Sequence, residues 1–211
     1  MIKIIKKYKK YLKKYLEYIT YDPKVFWDDW GGEKYFNQFN SAEGLRYENI
    51  FLEQIERLKP NSIIDIGCGY GRYLKVISKN FPNIKLVGID ISSSQIEFAK
   101  EYCKNFPNIE LFEIDGKNIP FEKNTFDMSI TYGCLTYVKP IDINSFFKQI
   151  KNITKQYSIL IEHNNESKYN PMEDKFWSYK HNYNRLFCNE FMTRTILSSN
   201  GDTMFILKYK A

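Results

Sequence analysis

The chain has 211 residues, of which 43% are hydrophobic and 27% charged, and a formal net charge of +6. This is enough for one well-buried domain with a small appendage, and no run of about 18 apolar residues offers a membrane span. Lysines interrupt the N-terminal apolar residues throughout, which excludes a secretory leader. Cys68, Cys103, Cys134 and Cys188 are widely spaced with no C-x-x-C pair, a pattern that argues against a metal site and fits reduced thiols in a cytoplasm.

In residues 2–19, Ile4, Ile5, Tyr8, Leu12, Tyr15, Leu16 and Ile19 recur at three and four, the period of an amphipathic helix. Its other face is lysine: residues 1–20 hold Lys3, Lys6, Lys7, Lys9, Lys10, Lys13 and Lys14 against Glu17, a net of +6, so the remainder of the chain is neutral. Such a helix either packs its apolar stripe on the domain with its lysines solvated, the commoner arrangement for charge runs, or touches a polyanion such as membrane phosphate or nucleic acid. Residues 22–40 are crowded with aromatics and punctuated by Pro23 and Gly31-Gly32, which predicts an irregular segment able to cover a cleft. A helix follows from about Glu43 to Leu58 and stops at Pro60.

Alternating strands and helices come next, as a parallel sheet with crossovers requires. Strands are predicted at Ser62–Ile66, Lys85–Ile89, Ile109–Ile114, Phe126–Thr131 and Ser158–Glu162, with helices from Arg72 to Lys79, after a Ser92 cap, and near Asp142–Ile153. Residues 164–182 show no period and read as a long loop, followed by a short helix around Asn182–Cys188. Phe191–Ser198 and Thr203–Lys208, separated by Asn200-Gly201, predict a terminal antiparallel hairpin.

The chemistry concentrates where Ile63-Ile64-Asp65-Ile66 runs into Gly67-Cys68-Gly69-Tyr70-Gly71. Three alternate glycines between a strand and a helix let backbone approach a ligand closely. A dinucleotide fingerprint would want G-x-G-x-x-G, and Arg72 stands where the third glycine belongs. Asp65, Asp90 and Asp115 mark the ends of the first three strands, the edge at which open α/β sheets bind ligands. Asp90 lies 19 residues beyond Gly71, suited to accept hydrogen bonds from ribose hydroxyls.

This D-x-G-x-G-x-G run, with the acids in that register, resembles motif I of the class I (Rossmann-like) S-adenosylmethionine (SAM) dependent methyltransferases of the small-molecule type. The order of elements resembles their seven-stranded, mostly parallel sheet, whose final strand is inserted antiparallel. The resemblance covers about residues 43–209, leaving residues 1–42 as a basic helix and aromatic lid ahead of a SAM-binding domain at 43–211. It implies SAM as cofactor, with S-adenosylhomocysteine as product, held by Asp65, Gly67, Cys68, Gly69, Gly71, Asp90, Ile91, Asp115, Gly116, Tyr132 and Gly133. Asp90 resembles the acid that holds the ribose, Asp115 the acid at the adenine amino group, and Asp65 the acid near the amino acid end. Arg46, before the first strand, resembles a basic residue that reaches the methionine carboxylate.

Phe126 to Leu135 resembles the family's motif IV but lacks the Asn/Asp-Pro-Pro-aromatic signature of DNA base amino methylation. A small-molecule or glycan hydroxyl is therefore the expected acceptor. His163 and His181, the two histidines of the chain, are the candidate bases. Two alternatives stay open: an RNA or protein methyltransferase that uses the lysine-rich helix, and a SAM-binding subunit without catalysis.

Overall fold

The β-branched run at Ile63–Ile66 forms β1 (Ser62–Ile66), the central strand of a seven-stranded sheet in this computed structural model of the protein. The structure describes residues 2–40, 47–164, 178–179, 181–197 and 202–209, with side chains described only in part for the first helix. Around β1 lie β2 (Lys85–Asp90), β3 (Ile109–Glu113), β4 (Phe126–Tyr132), β5 (Thr154–His163), β6 (Phe191–Ile196) and β7 (Asp202–Lys208), in the order β3-β2-β1-β4-β5-β7-β6. Pairs from β3 through β5 are parallel, and β7 is antiparallel to both β5 and β6. The chain builds outward from β1 to β3 and then returns to β4 on the other side. That reversal leaves a crevice beyond the carboxyl ends of β1 and β4, where the strand order switches.

Each strand of the parallel core sends alternate residues to opposite faces. Ile64, Val87, Ile89 and Leu160 meet α7 (Ile143–Ile153), while Ile63, Leu86, Met128 and Ile159 meet α4 (Glu48–Leu58) and α5 (Arg72–Asn80). The result is three layers with the sheet buried between helices, as expected. β5 begins four residues earlier than predicted, because Thr154 pairs with Phe126 before a register shift. The predicted start of α4 at Glu43 and the Asn200-Gly201 turn fall outside the described residues, as does most of the predicted loop at 164–182.

Two expectations for the N-terminal region need correction. Residues 22–40 are not irregular: they form α2 (Pro23–Trp30) and α3 (Glu33–Phe39). Asp22 caps α2 by accepting the Lys24 and Val25 N–H groups at 2.8 and 3.3 Å, and Pro23 occupies the first turn, where a missing N–H costs nothing. Aromatic crowding hides the period, and Gly31-Gly32 divides the two helices. The second correction concerns α1 (Ile2–Thr20), whose apolar stripe does not pack on the domain. Tyr8 is 72% exposed, Leu12 58% and Ile19 51%.

Candidate active site

The glycine loop leaves β1 and is tied at once to β2: the Gly67 and Cys68 N–H groups both donate to the Ile89 carbonyl, at 2.8 and 3.0 Å. Gly67 has φ 73°, and a Cβ there would lie 2.6 Å from Cys134 Sγ, so the loop passes under the end of β4 with no room for a side chain. Gly69, at φ 52°, has room instead, since a Cβ there would meet only Gln95 and Tyr35 at ordinary contact distances of 3.9 and 4.0 Å. Gly67→Ala is expected to cost roughly 2–4 kcal/mol from strain and overpacking together. Gly69→Ala pays only the left-handed conformation, roughly 1–2 kcal/mol. Urea unfolding of the two variants checks the ranking, and equal losses would count against the Cys134 contact.

Asp90 closes β2 against this loop. Its Oδ2 accepts the Gly69 N–H and its Oδ1 the Ser92 N–H, both at 2.9 Å. Burial pushes its carboxyl above the usual carboxylate range while these backbone donors pull it back. Asp65, 3% exposed on β1, is pushed up to about 8 by burial, with the Asp90 charge adding to the rise and the Arg72 charge opposing it. Asp115, beyond β3, accepts the Lys117 N–H at 2.9 Å, and its carboxylate lies 3.7 Å from Lys117 Nζ.

A cavity opens at these carboxyl ends. It encloses about 990 Å³ of non-atom space, part of it open to solvent, and is walled by Gly67, Gly69, Asp90, Ile91, Asp115, Gly116, Tyr132, Gly133, Cys134 and Phe146 among others. Its position beyond the carboxyl ends of the strands suits a nucleoside cofactor. The residues fit one as well: Asp90 is locked by two backbone donors with lone pairs to spare, beside a glycine without a Cβ. At Gly116 a Cβ would strike the Phe146 ring at 2.3 Å, so the glycine lets α7 close against the floor.

The roof comes from the N-terminal helices. Trp27 of α2 meets Tyr137 of the 3₁₀ turn Leu135–Tyr137 edge to face at 4.8 Å, and Tyr35 of α3 reaches the cavity beside them. α2 is bolted to the start of α6 (Ser93–Tyr102), where Asp28 Oδ1 accepts the Ser93 N–H at 2.7 Å. Ser92 and Ser94 hydroxyls donate to the Trp27 and Asp28 carbonyls at 3.0 and 2.9 Å. Lys24 pairs with Glu113 next to β3.

The predicted site residues therefore separate. Asp90, Ile91, Asp115, Gly116, Tyr132, Gly133, Gly67 and Gly69 share the cavity wall. Asp65 lies beneath them in the buried sheet. The Cys68 thiol turns inward toward Gly88, and Gly71 opens α5 with its Cα against Cys103. Neither residue lines the cavity, because their loop positions face the packed side. Arg46 lies outside the described residues.

Besides Lys117 and Lys139 in the cavity wall, a buried basic group, Arg72, stands close behind it, 8% exposed. Its guanidinium lies 4.8 Å from the Tyr73 ring and 5.4 Å from the Tyr132 ring, and it donates to the Phe39 carbonyl at 3.4 Å. Neither histidine lines the cavity. His163 ends β5, half exposed, 3.5 Å from Asp202. His181 is buried with Nε2 3.0 Å from the Val138 carbonyl, and burial lowers its pKa.

Sequence reasoning missed Glu162, which is 1% exposed at the end of β5. Its Oε1 accepts the Thr131 hydroxyl at 2.8 Å and the Cys134 and Leu135 N–H groups at 3.1 Å, and its Oε2 the Thr136 N–H at 3.3 Å. One carboxylate thus holds the turn that carries Gly133, Cys134 and Tyr137 to the cavity. The one signal in the chain was an acid inside an apolar strand.

Fold, glycine loop and acid register together resemble those of the class I SAM-dependent methyltransferases. Residues 63–157 match the family model described as a methyltransferase domain, a class whose cofactor is SAM. The chain is 37% identical over 68 residues to a trans-aconitate 2-methyltransferase of Afipia carboxidovorans, covering 32% of this chain and 26% of that protein. It is 29% identical over 111 residues to the norajmaline N-methyltransferase of Rauvolfia serpentina, covering 51% and 36%. The chain thus spans about a quarter to a third of the length of these curated relatives. A SAM-dependent methyltransferase structure from Aquifex aeolicus superposes with a TM-score of 0.62 at 18% identity, over 82% of this chain and 95% of that one, a likeness of fold.

Proposed function

We propose that this chain transfers a methyl group from SAM to an oxygen of a small-molecule acceptor, a hydroxyl of a free metabolite or a glycan unit. The observation that carries the reading is the Asp90 carboxylate, fixed by the Gly69 and Ser92 N–H groups at the mouth of a cavity beyond the carboxyl ends of the strands. In this reading Asp90 accepts the ribose hydroxyls, Asp115 meets the adenine end, and Gly67 and Gly69 let backbone lie against the ligand. Asp65 faces the cationic amino acid end. When bound, SAM supplies a methyl group made electrophilic by its sulfonium.

The chain's own part is placement and exclusion of water. Trp27, Tyr35, Tyr132 and Tyr137 form an aromatic wall that dries the transfer region and offers ring faces for stacking. The end of β4 reads Thr131-Tyr132-Gly133-Cys134, without the DNA-base amino methylation signature, which favours oxygen over a base nitrogen. Since His163 and His181 stand off the cavity, positioning rather than proton abstraction by either is the main catalytic resource in this reading. Residues 1–42 and 43–211 remain the proposed division, with α2 and α3 completing the acceptor pocket. A cytoplasmic setting accords with Cys68, Cys103, Cys134 and Cys188 all being free thiols. Among the described residues no helix is long and apolar enough to cross a membrane.

Calorimetric titration with S-adenosylhomocysteine, beside NAD as control, tests the cofactor assignment. Micromolar binding of the first alone is expected, after which acceptors can be screened with labelled SAM. Binding of NAD instead would sink the reading.

A pH dependence follows from Asp65. Its carboxyl is pushed up to about 8, so below that pH the free site holds a proton that the cationic amino group of the ligand displaces. Affinity is expected to rise as pH climbs toward about 8, with proton release seen as a buffer-dependent heat. Asp65→Asn should flatten that rise. Affinity independent of pH in the unsubstituted protein would remove Asp65 from the amino acid end.

A further inference from the structure

An amphipathic helix normally hides its apolar stripe, and α1 does not. Ile5, Tyr8, Leu12, Tyr15, Leu16 and Ile19 are between 49% and 72% exposed along its length. The helical period sets positions 3, 6, 7, 10, 13 and 14, all lysines, on the opposite face. The whole net charge of the chain resides in residues 1–20, so this is a local device and not a property of the fold. α1 therefore presents a large apolar area to solvent, with Lys9 and Lys13 exposed beside it.

We propose that α1 is an interfacial helix that docks the protein on an anionic lipid surface, lying in the plane of the headgroups without spanning the bilayer. The charge pattern selects this occupant. Nucleic acid would take up the lysines and leave the apolar stripe in water. A second copy would cover the stripe while bringing two lysine-rich flanks together. An anionic bilayer satisfies both faces at once, its acyl boundary receiving the stripe and its phosphates the lysines.

The helix is also joined to the site. Tyr21, which follows α1, is buried and packs edge to face on Phe26 of α2 at 5.7 Å. Ile19, Thr20 and Tyr21 line a second opening whose wall includes Asp115, Lys117 and Lys139, residues it shares with the cavity. Docking α1 would hold that opening close to the lipid surface.

The test is sedimentation of the full chain with vesicles of phosphatidylcholine alone and of phosphatidylcholine mixed with phosphatidylglycerol, at low and moderate salt. Binding is expected to the mixed vesicles and to weaken as salt rises. Leu12→Gln with Leu16→Gln changes no charge and is expected to reduce that binding about tenfold or more. Lys9→Gln with Lys13→Gln should reduce it too. S-adenosylhomocysteine binding, read on the same proteins, should stay unchanged, which separates failure of docking from failure of the cofactor assignment.

No binding to mixed vesicles overturns the proposal. So does binding that survives the leucine substitutions, which would leave only a lysine effect. Tight RNA binding indifferent to those leucines, together with weak vesicle binding, assigns the lysines to nucleic acid. A stable dimer in sedimentation velocity that the leucine substitutions break assigns the stripe to a second copy.

Discussion

Asp90→Ala is expected to abolish S-adenosylhomocysteine binding, by about a hundredfold or more, while the protein still folds. The carboxylate is held in place by the chain on both of its oxygens, through Gly69 and Ser92. Hydrogen bonds from two ribose hydroxyls to a charged acceptor contribute roughly 3 kcal/mol or more together, which sets that ratio. Stability should change little, because two effects oppose. Alanine leaves the Gly69 and Ser92 N–H groups without their acceptor, but it also removes a buried charge that raises the carboxyl of Asp65. Asp90→Asn keeps the shape and should fall between the two proteins. Calorimetry with a thermal melt on the same samples decides, and affinity within a few-fold of the unsubstituted protein would falsify the ribose assignment.

Glu162→Ala should damage the protein more than any other single change near the cavity. It strips the acceptor from the Thr131 hydroxyl and from three successive N–H groups, those of Cys134, Leu135 and Thr136. Leaving that many donors unsatisfied in a buried site costs roughly 3–5 kcal/mol. The loss falls on the turn that places Tyr137 against Trp27. Glu162→Gln should recover most of the stability, since one amide oxygen can serve the Thr131, Cys134 and Leu135 donors, with an N–H facing N–H contact remaining at Thr136.

The same carboxyl also makes stability depend on pH. Burial lifts it from 4.5 to about 7 against the pull of its donors, so in that interval the folded protein holds a proton that the unfolded chain has released. Its contribution is fully present below 4.5, falls as pH rises toward about 7, and levels off above. Glu162→Gln should flatten that part of a urea-unfolding series. A series that rises with pH through the interval, in a protein carrying Asp65→Asn, would contradict this account.

What could be read from the sequence was what local patterning encodes. The glycine loop follows its strand directly, and spacing brings Asp65, Asp90 and Asp115 to the carboxyl ends of three strands, with Asp65 buried one residue short of the end of β1 and Asp115 just beyond β3. The Asn200-Gly201 signal likewise predicts the antiparallel direction in which β6 and β7 pair. The partners of Glu162 lie 26 to 31 residues away, and Asp28 accepts an N–H from the first turn of a helix 65 residues further on. Such pairings exist only after the crossovers fold, and no period or motif announces them. For α1 the period was right and its environment was not, because amphipathicity says which residues share a face but not what that face meets. Arg46 and Arg72 make the same point: both are basic residues flanking β1, and burial among tyrosine rings, which brings Arg72 to the site, has no local signature.

The acceptor that Asp28 supplies to the first turn of α6 has an implication for how such a protein diversifies. The first turn of α6 begins just past Asp90, so the segment that shapes the acceptor side also completes the helix beside the nucleoside side. Exchanging residues 21–40 for the equivalent stretch of a relative, in order to import a new acceptor preference, would leave the Ser93 N–H without its acceptor unless an acid came with it, although Ser92 still caps the helix. Specificity and cofactor affinity are then inherited as one module, and grafts that respect the Asp28 to Ser93 joint should survive where grafts cut inside it fail.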